Sequence, residues 1–230
     1  MQKVNLSAAV LRYEKIGDRM YIPKYFEITN REEMNEIIHS YGFATLYSSH
    51  QGRPYATQLP LLLNEDGNEL LGHFAKGNKQ WTDIVGQEVL VVFQGPHCYI
   101  SPSWYETQDT VPTWNYVTVH VNGKVELMSD GDTRLMESMK SLTIKYEEPT
   151  SGYSLDNVED EYIESLSKGV VGFSIRIEEI QGKAKLSQNH SQERIERVID
   201  SLEKTGKANE QAISICMAKA SNKLEEKIGE

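Results

Sequence analysis

At Phe43 the chain takes up a period of two, and that change decides most of what it can fold into. Phe43-Ala44-Thr45-Leu46-Tyr47-Ser48 and Tyr55-Ala56-Thr57-Gln58-Leu59 read as strands joined by a turn at Gln51-Gly52-Arg53-Pro54. Pro60 places the second strand at a sheet edge or a bulge, because proline cannot donate to a ladder. Leu61-Leu62-Leu63 stays apolar up to the turn Asn64-Glu65-Asp66-Gly67-Asn68, and Glu69 to Phe74 is the next strand. Glu88 to Phe93 has almost no polar alternation and reads as a buried strand. Gly95-Pro96 is expected to turn it into a short strand, His97 to Ile100. Trp114 to Val121 and Lys124 to Met128 read as a hairpin closed by Asn122-Gly123. Gly169 to Ile180 is the longest strand candidate, with Gly182 to Asn189 leaving it.

Helices flank and interrupt these strands. Thr29 or Asn30 caps one whose apolar face is Met34, Ile37 and Ile38. Asp130 is expected to cap another, through Leu135, Met139 and Leu142 to about Tyr146. A short acidic helix is expected over 158–166. Ser191 caps a helix that Gly206 stops, and Asn209 starts a last one through Met217. The sum is an α+β, mainly β chain: six or more antiparallel strands in a closed or partly closed barrel, with inserted and C-terminal helices. Residues 20–190 form the barrel domain, 191–230 a helical appendage packed on it, and 1–19 an extension unlike the rest.

A net charge of −10 opposes non-specific attraction to nucleic acid, which needs lysine and arginine to neutralise phosphates. No apolar run reaches the roughly 18–20 residues of a membrane helix. Cys98 and Cys216 imply no disulfide framework, and the first residues lack a secretory apolar core, so a cytoplasmic location is expected. No nucleophile elbow, Walker loop or zinc motif is present, and the six histidines lack short-range ligand spacing.

Gly72-His73-Phe74-Ala75-Lys76-Gly77-Asn78-Lys79-Gln80-Trp81 carries the chemistry. It reads as a strand end, a turn and a helix start running to about Val85. Free N–H groups there, beside Lys76 and Asn78, make an anion site that suits a phosphate. The competing reading is an ordinary solvated turn. Trp81, Trp104 and Trp114, with Tyr99, Tyr105 and Tyr116, are either packing residues or a wall for a flat ring.

The segment His73 to Trp81 resembles the His-x-Ala-Arg-Ala-Asn-Pro-x-Trp motif of the PaiB family. Tyr99-Ile100-Ser101-Pro102-Ser103-Trp104-Tyr105 resembles a second motif of that family, and Val111 to Tyr116 with His120 a third. Lys183 to Asn189 and the beginning Met20-Tyr21-Ile22-Pro23 resemble others, so the likeness runs from Met20 to the C-terminus. It implies an FMN-binding split β-barrel, related in fold to pyridoxamine 5′-phosphate oxidases and usually homodimeric. It also implies a negative transcriptional regulator of sporulation and degradative-protease genes, with DNA or a protein as partner. An FMN-dependent oxidoreductase of unassigned substrate is the alternative, and a haem-binding split barrel the second. By position, Lys76 and Asn78 would hold the FMN phosphate, with Trp81 beside them. Ala56, Thr57, Gln58 and Leu59 would line the ring, and His73, Phe74 and Ala75 the adjoining strand. Trp114, Asn115, Lys185, Ser187, Gln188 and Asn189 would complete the pocket, in part from a second subunit. Lys76 stands where the family has arginine and so lacks the bidentate fork; Gly77 and Lys79 also depart from the motif.

Overall fold

Eight strands form one antiparallel sheet in the order β3-β2-β6-β7-β8-β5-β4, with β1 added to β8. The computed structural model describes residues 20–228 except 106–109, 130, 149, 155–156, 160–161, 163–164 and 166; for 223–228 it describes only the helical backbone. The strands are β1 (Glu27–Ile28), β2 (Phe43–His50), β3 (Arg53–Pro60), β4 (Leu62–Leu63), β5 (Glu69–Ala75), β6 (Glu88–Ile100), β7 (Thr113–Leu127) and β8 (Val170–Lys185). The helices whose residues are all described in backbone are α1 (Arg31–Ser40), α2 (Thr133–Tyr146), α3 (Gln192–Thr205) and α4 (Ala208–Ile228).

Local chemistry accounts for the joints. Gln51 and Gly52 both take positive φ (51° and 73°), the geometry of a two-residue hairpin turn matched to strand twist. Asn30 caps α1 by accepting from Glu33 N at 3.1 Å. Gly206 ends α3 in the left-handed conformation. Pro54 and Pro60 lie on β3, an edge strand, as the ladder argument requires.

The sheet curls until β3 faces β5. A Cβ added at Gly72 would meet Leu61 Cδ2 at 2.5 Å and Leu59 Cδ1 at 3.4 Å. No ladder joins β3 to β5, so side chains close this seam and the barrel is split. Leu46, Leu59, Leu70, Phe74, Val91, Phe93, Val119, Val121, Phe173 and Ile175 fill the interior. Met34 and Ile38 of α1 cover one end, where a Cβ on Gly182 would collide with Met34 at 2.9 Å. Ile213 and Met217 of α4 join the same core.

Several sequence expectations are corrected. Gly95-Pro96 does not end a strand: β6 continues to Ile100 through a bulge between Gln94 and His97. The bulge shifts the inward set from Val89, Val91 and Phe93 to Cys98 and Ile100, keeping both halves in the core. Asn122-Gly123 is not a hairpin turn but the middle of β7. A Cβ on Gly123 would sit 2.3 Å from Arg176 O, so glycine here serves a close approach of β7 to β8 at a register shift. β8 runs on to Lys185 because β7 pairs with it that far. The expected helix after Asn78 is only a four-residue 3-10 turn, Lys79–Thr82. The cap of α2 is Asp132, which accepts from Arg134 N; Asp130 lies outside the described residues. The last helix begins at Ala208. Residues 1–19 and much of 158–166 also lie outside the described residues.

Candidate functional site

Strand alternation sorts the expected ring-lining residues into two sets. Ala56 and Gln58 of β3 are exposed on the outer face of the sheet, while Leu59 is buried inside. On β5, His73 and Ala75 face outward and Phe74 inward, stacked on Phe173 with centroids 4.5 Å apart. The outer face of the β3–β5 seam therefore presents small or polar side chains, Ala56, Gln58 and Ala75, on which a flat ring has room to lie. Phe74 and Leu59 can offer such a ligand only their backbone.

The turn after β5 is tied to β3 by side chains. Asn78 Nδ2 donates to Thr57 Oγ1 at 2.9 Å, and Asn78 Oδ1 accepts from Gln80 N at 3.0 Å. Thr57 Oγ1 donates to Gln80 Oε1 at 2.5 Å. Gln80 Nε2 donates to Ser48 Oγ at 2.9 Å and to Leu46 O at 3.3 Å. Gln80 is fully buried, so this network ties the turn to the β2–β3 pair, to which no backbone ladder joins it. Sequence reasoning passed over Gln80; its only signal was a polar residue between Asn78 and Trp81. Asn78 is thus engaged within the chain, and the turn's exposed charges are Lys76 and Lys79. Lys76 is exposed, with its ammonium 3.5 Å from Lys168 O. Trp81 Nε1 donates to Lys76 O at 3.0 Å and holds the turn's backbone. A Cβ at Gly77 would meet nothing within 4 Å, so the departure from the motif there is sterically neutral.

The remaining expected residues gather elsewhere. Asn115 is fully buried; its Nδ2 donates to Ser187 Oγ at 3.1 Å and lies 3.4 Å from Met217 Sδ. Ser187, with φ at 67°, also lies 3.3 Å from the Tyr105 hydroxyl. Asn115 and Ser187 therefore fasten β7 and β8 to α4 rather than face solvent. Lys185 Nζ donates to Thr113 Oγ1 and Trp114 O, while Gln188 clamps the turn through Leu186 N and Ala184 O. Asn189 and Trp114 are exposed. Trp114 packs edge-on against Tyr99 and 6.1 Å from His97, forming an open aromatic face. Trp81 and Trp114 do not make one wall within a chain. β5 meets β8 at Val170, whereas Lys185 ends that strand, about 50 Å away along a strand of 16 residues.

Burial lowers the pKa of His73 and that of His190, and burial with the Lys183 charge lowers that of His120. A histidine held neutral this way stabilises the fold fully above its unfolded value, about 6.5. That contribution is lost as pH falls below 6.5 and levels off once the folded values are passed. The urea midpoint is therefore expected to drop between pH 7.5 and 5.5, and His73→Gln should flatten the drop. Asp83 and Asp132, whose pKa values are lowered by hydrogen bonds to His50 and Arg134, act in a separate, more acidic window. A midpoint independent of pH above 5.5 would contradict this account.

The family model described as "Putative FMN-binding domain" matches residues 20–179. The chain is 43% identical over 188 residues to the protease synthase and sporulation protein PAI 2 of Bacillus subtilis, covering 80% of this chain and 89% of that one. Among solved structures it resembles a flavocytochrome from Azotobacter vinelandii (TM-score 0.56, 18% identity, 73% of each chain). It also resembles a conserved hypothetical protein from Mycobacterium tuberculosis (TM-score 0.54, 13% identity, 74% of this chain and 92% of that one). These two likenesses speak to the fold.

Proposed function

The chain belongs to the PaiB family of FMN-binding-domain proteins, and from that premise we propose that it binds FMN on the outer face of the β3–β5 seam. The observation that carries this reading is the seam itself: exposed Ala56, Gln58 and Ala75 beside a turn with two exposed cations, Lys76 and Lys79, of which Lys76 is next to Ala75. Lys76 would meet the phosphate, Asn78 and Trp81 would hold the turn in place, and the alternate residues of β3 and β5 would bed the ring. FMN, when bound, supplies electron-transfer chemistry. The protein's part is to anchor the phosphate, flatten the bed and exclude water from it.

The second cluster supports a homodimer. Because Lys185 and Lys76 stand at opposite ends of β8, one pocket can use both only if they come from two subunits. The exposed Phe43, Tyr47, Tyr99 and Trp114 give the sheet's outer face an aromatic surface suited to such a partner. Residues 20–190 would be the dimerising barrel and 191–230 its appendage.

We further propose that the relative's link to protease synthesis and sporulation carries over to this chain, as negative control of the genes concerned. With a net charge of −10, that control would run through the flavin or a protein partner rather than operator reading. A gel-shift titration across salt should show no sequence-specific shift; a specific, salt-sensitive one would reverse this reading.

Adding FMN to the purified chain should give bound flavin bands near 370 and 450 nm. Lys76→Ala should weaken FMN binding about tenfold, the size of one charge-assisted contact. Unchanged affinity would remove Lys76 from the phosphate.

A further inference from the structure

Where β8 hands over to α3, three basic side chains come together without an acid. His190 N donates to Ser187 O at 3.0 Å, and Gln188 clamps Leu186 N and Ala184 O, so the chain reverses tightly between Lys185 and His190. The His190 ring stacks on the buried Tyr105, with centroids 4.8 Å apart. Arg194 follows in the first turn of α3, and Lys185 Nζ is steadied by Thr113 Oγ1 and Trp114 O. Burial, then the charges of Arg194 and Lys185, lower the pKa of His190, so both cations act on the ring.

Like charges held together cost free energy unless an anion offsets them. Elsewhere this chain supplies the offset. Arg134, Arg176 and Arg197 pair with Asp132, Glu178 and Glu193, and Arg31 bonds Asn35 and Gly67 O. Among the described residues the Arg194 guanidinium and the His190 ring nitrogens have no hydrogen-bond or ion-pair partner, and Lys185 has no carboxylate. Arg53 is unpaired as well, but it is exposed to water, whereas Arg194 is half-buried. With 34 acids to 24 lysines and arginines in the chain, a cation cluster that lacks an acid runs against the average.

We infer that Lys185, His190 and Arg194 form a binding site for a phosphate group. The guanidinium fork can meet two oxygens of one group, the ammonium adds a point charge, and a neutral imidazole donates one ring N–H. Two full positive charges match a phosphate monoester, which carries about −1.5 to −2 at neutral pH, better than a carboxylate. The occupant we assign is the FMN phosphate, and that assignment rests on the flavin reading and on a pocket shared between subunits. There Lys76 brings a point charge, and Arg194 from the other subunit supplies the fork that Lys76 lacks.

The first test titrates the full ¹⁵N-labelled chain, free of FMN, with inorganic phosphate. The His190 ring and Arg194 Nε–H resonances, assigned through His190→Gln and Arg194→Lys, should shift saturably, with Arg197 Nε–H still. Sodium chloride at equal ionic strength should move none of them. No saturable shift, or the same shift at Arg197 or with chloride, would overturn the site, and the unaltered chain gives that answer even where a variant does not fold. The second test compares FMN with riboflavin, which lacks the phosphate. Arg194→Gln should weaken FMN about tenfold and leave riboflavin within about twofold, with Arg194→Lys recovering only part of the loss. Equal losses for both flavins would make Arg194 a prop of the fold and end its role as a ligand. Phosphate binding in a chain that ignores FMN would uphold the site, give it another phosphorylated ligand and remove the flavin reading. FMN binding that is indifferent to Arg194→Gln and to added phosphate would keep the flavin reading and overturn this one.

Discussion

Gln80→Leu lowers the stability of the fold by about 3 kcal/mol, read as a lower urea midpoint at an unchanged slope. Leucine nearly matches glutamine in volume, so no large cavity opens. What disappears is the set of bonds from one fully buried amide to Thr57, Ser48 and Leu46. Leu46 O then faces carbon in a buried place and the half-buried Ser48 and Thr57 hydroxyls lose a partner, each at about 1–3 kcal/mol, offset for Thr57 by its remaining bond from Asn78. The same lesion loosens the turn that carries Lys76, so FMN affinity should fall too, although Gln80 touches no ligand. Gln87→Leu is the control: Gln87 also bonds backbone, at Ser49 and Asp83, but its bonds are exposed. It should move stability by less than about 1 kcal/mol. A Gln80→Leu chain as stable as the parent would end the view of this network as the clasp of the seam.

Mixing two inactive variants should restore flavin binding. Lys76→Glu and Lys185→Glu each place a negative charge in every site of their own homodimer, and each is expected to lose FMN affinity by about a hundredfold or more. In a mixed dimer with pockets shared across the interface, one pocket collects both substitutions and the other neither. Unfolding and refolding the two together pairs them at random, so about a quarter of all pockets should regain parental affinity. If each pocket lies within one chain, no mixture recovers anything. A Lys185→Glu homodimer that binds as the parent does would show that the β8 terminus takes no part. The geometry makes this a sharp test, because Lys185 is already bonded to Thr113 and Trp114 O in its own chain and reaches only what lies beside that end of the sheet.

Much of the barrel was legible because its signals are local. The turn at Gly52, the cap at Asn30, the stop at Gly206 and the proline edge at β3 each depend on residues within a few positions. The errors fell where a distant strand decides the outcome. Asn122-Gly123 has the composition of a hairpin turn, yet the glycine answers to Arg176 across the sheet. Gly95-Pro96 has the composition of a break, yet β7 pairs on both sides of it and makes it a bulge. The site divides in the same way. Which residues of β3 and β5 face outward follows from alternation. That Asn115 and Ser187 turn inward, toward Tyr105 and Met217, depends on where α4 packs, and no spacing in the sequence reports that. Gln80 escaped notice because a lone glutamine looks the same whether it is solvated or sits at the centre of a buried network.

The order in which the chain is made gives β8 a further meaning. Three strands pair with it, β1, β5 and β7, and it is the last strand synthesised. Until Val170–Lys185 has left the ribosome, β1 and one edge each of β5 and β7 have no ladder to join. The nascent chain therefore carries three bare edges from the completion of β7 at Leu127 until β8 emerges. One late segment closes all of them, so a message truncated before codon 170 encodes a sheet whose edges can pair only with other molecules.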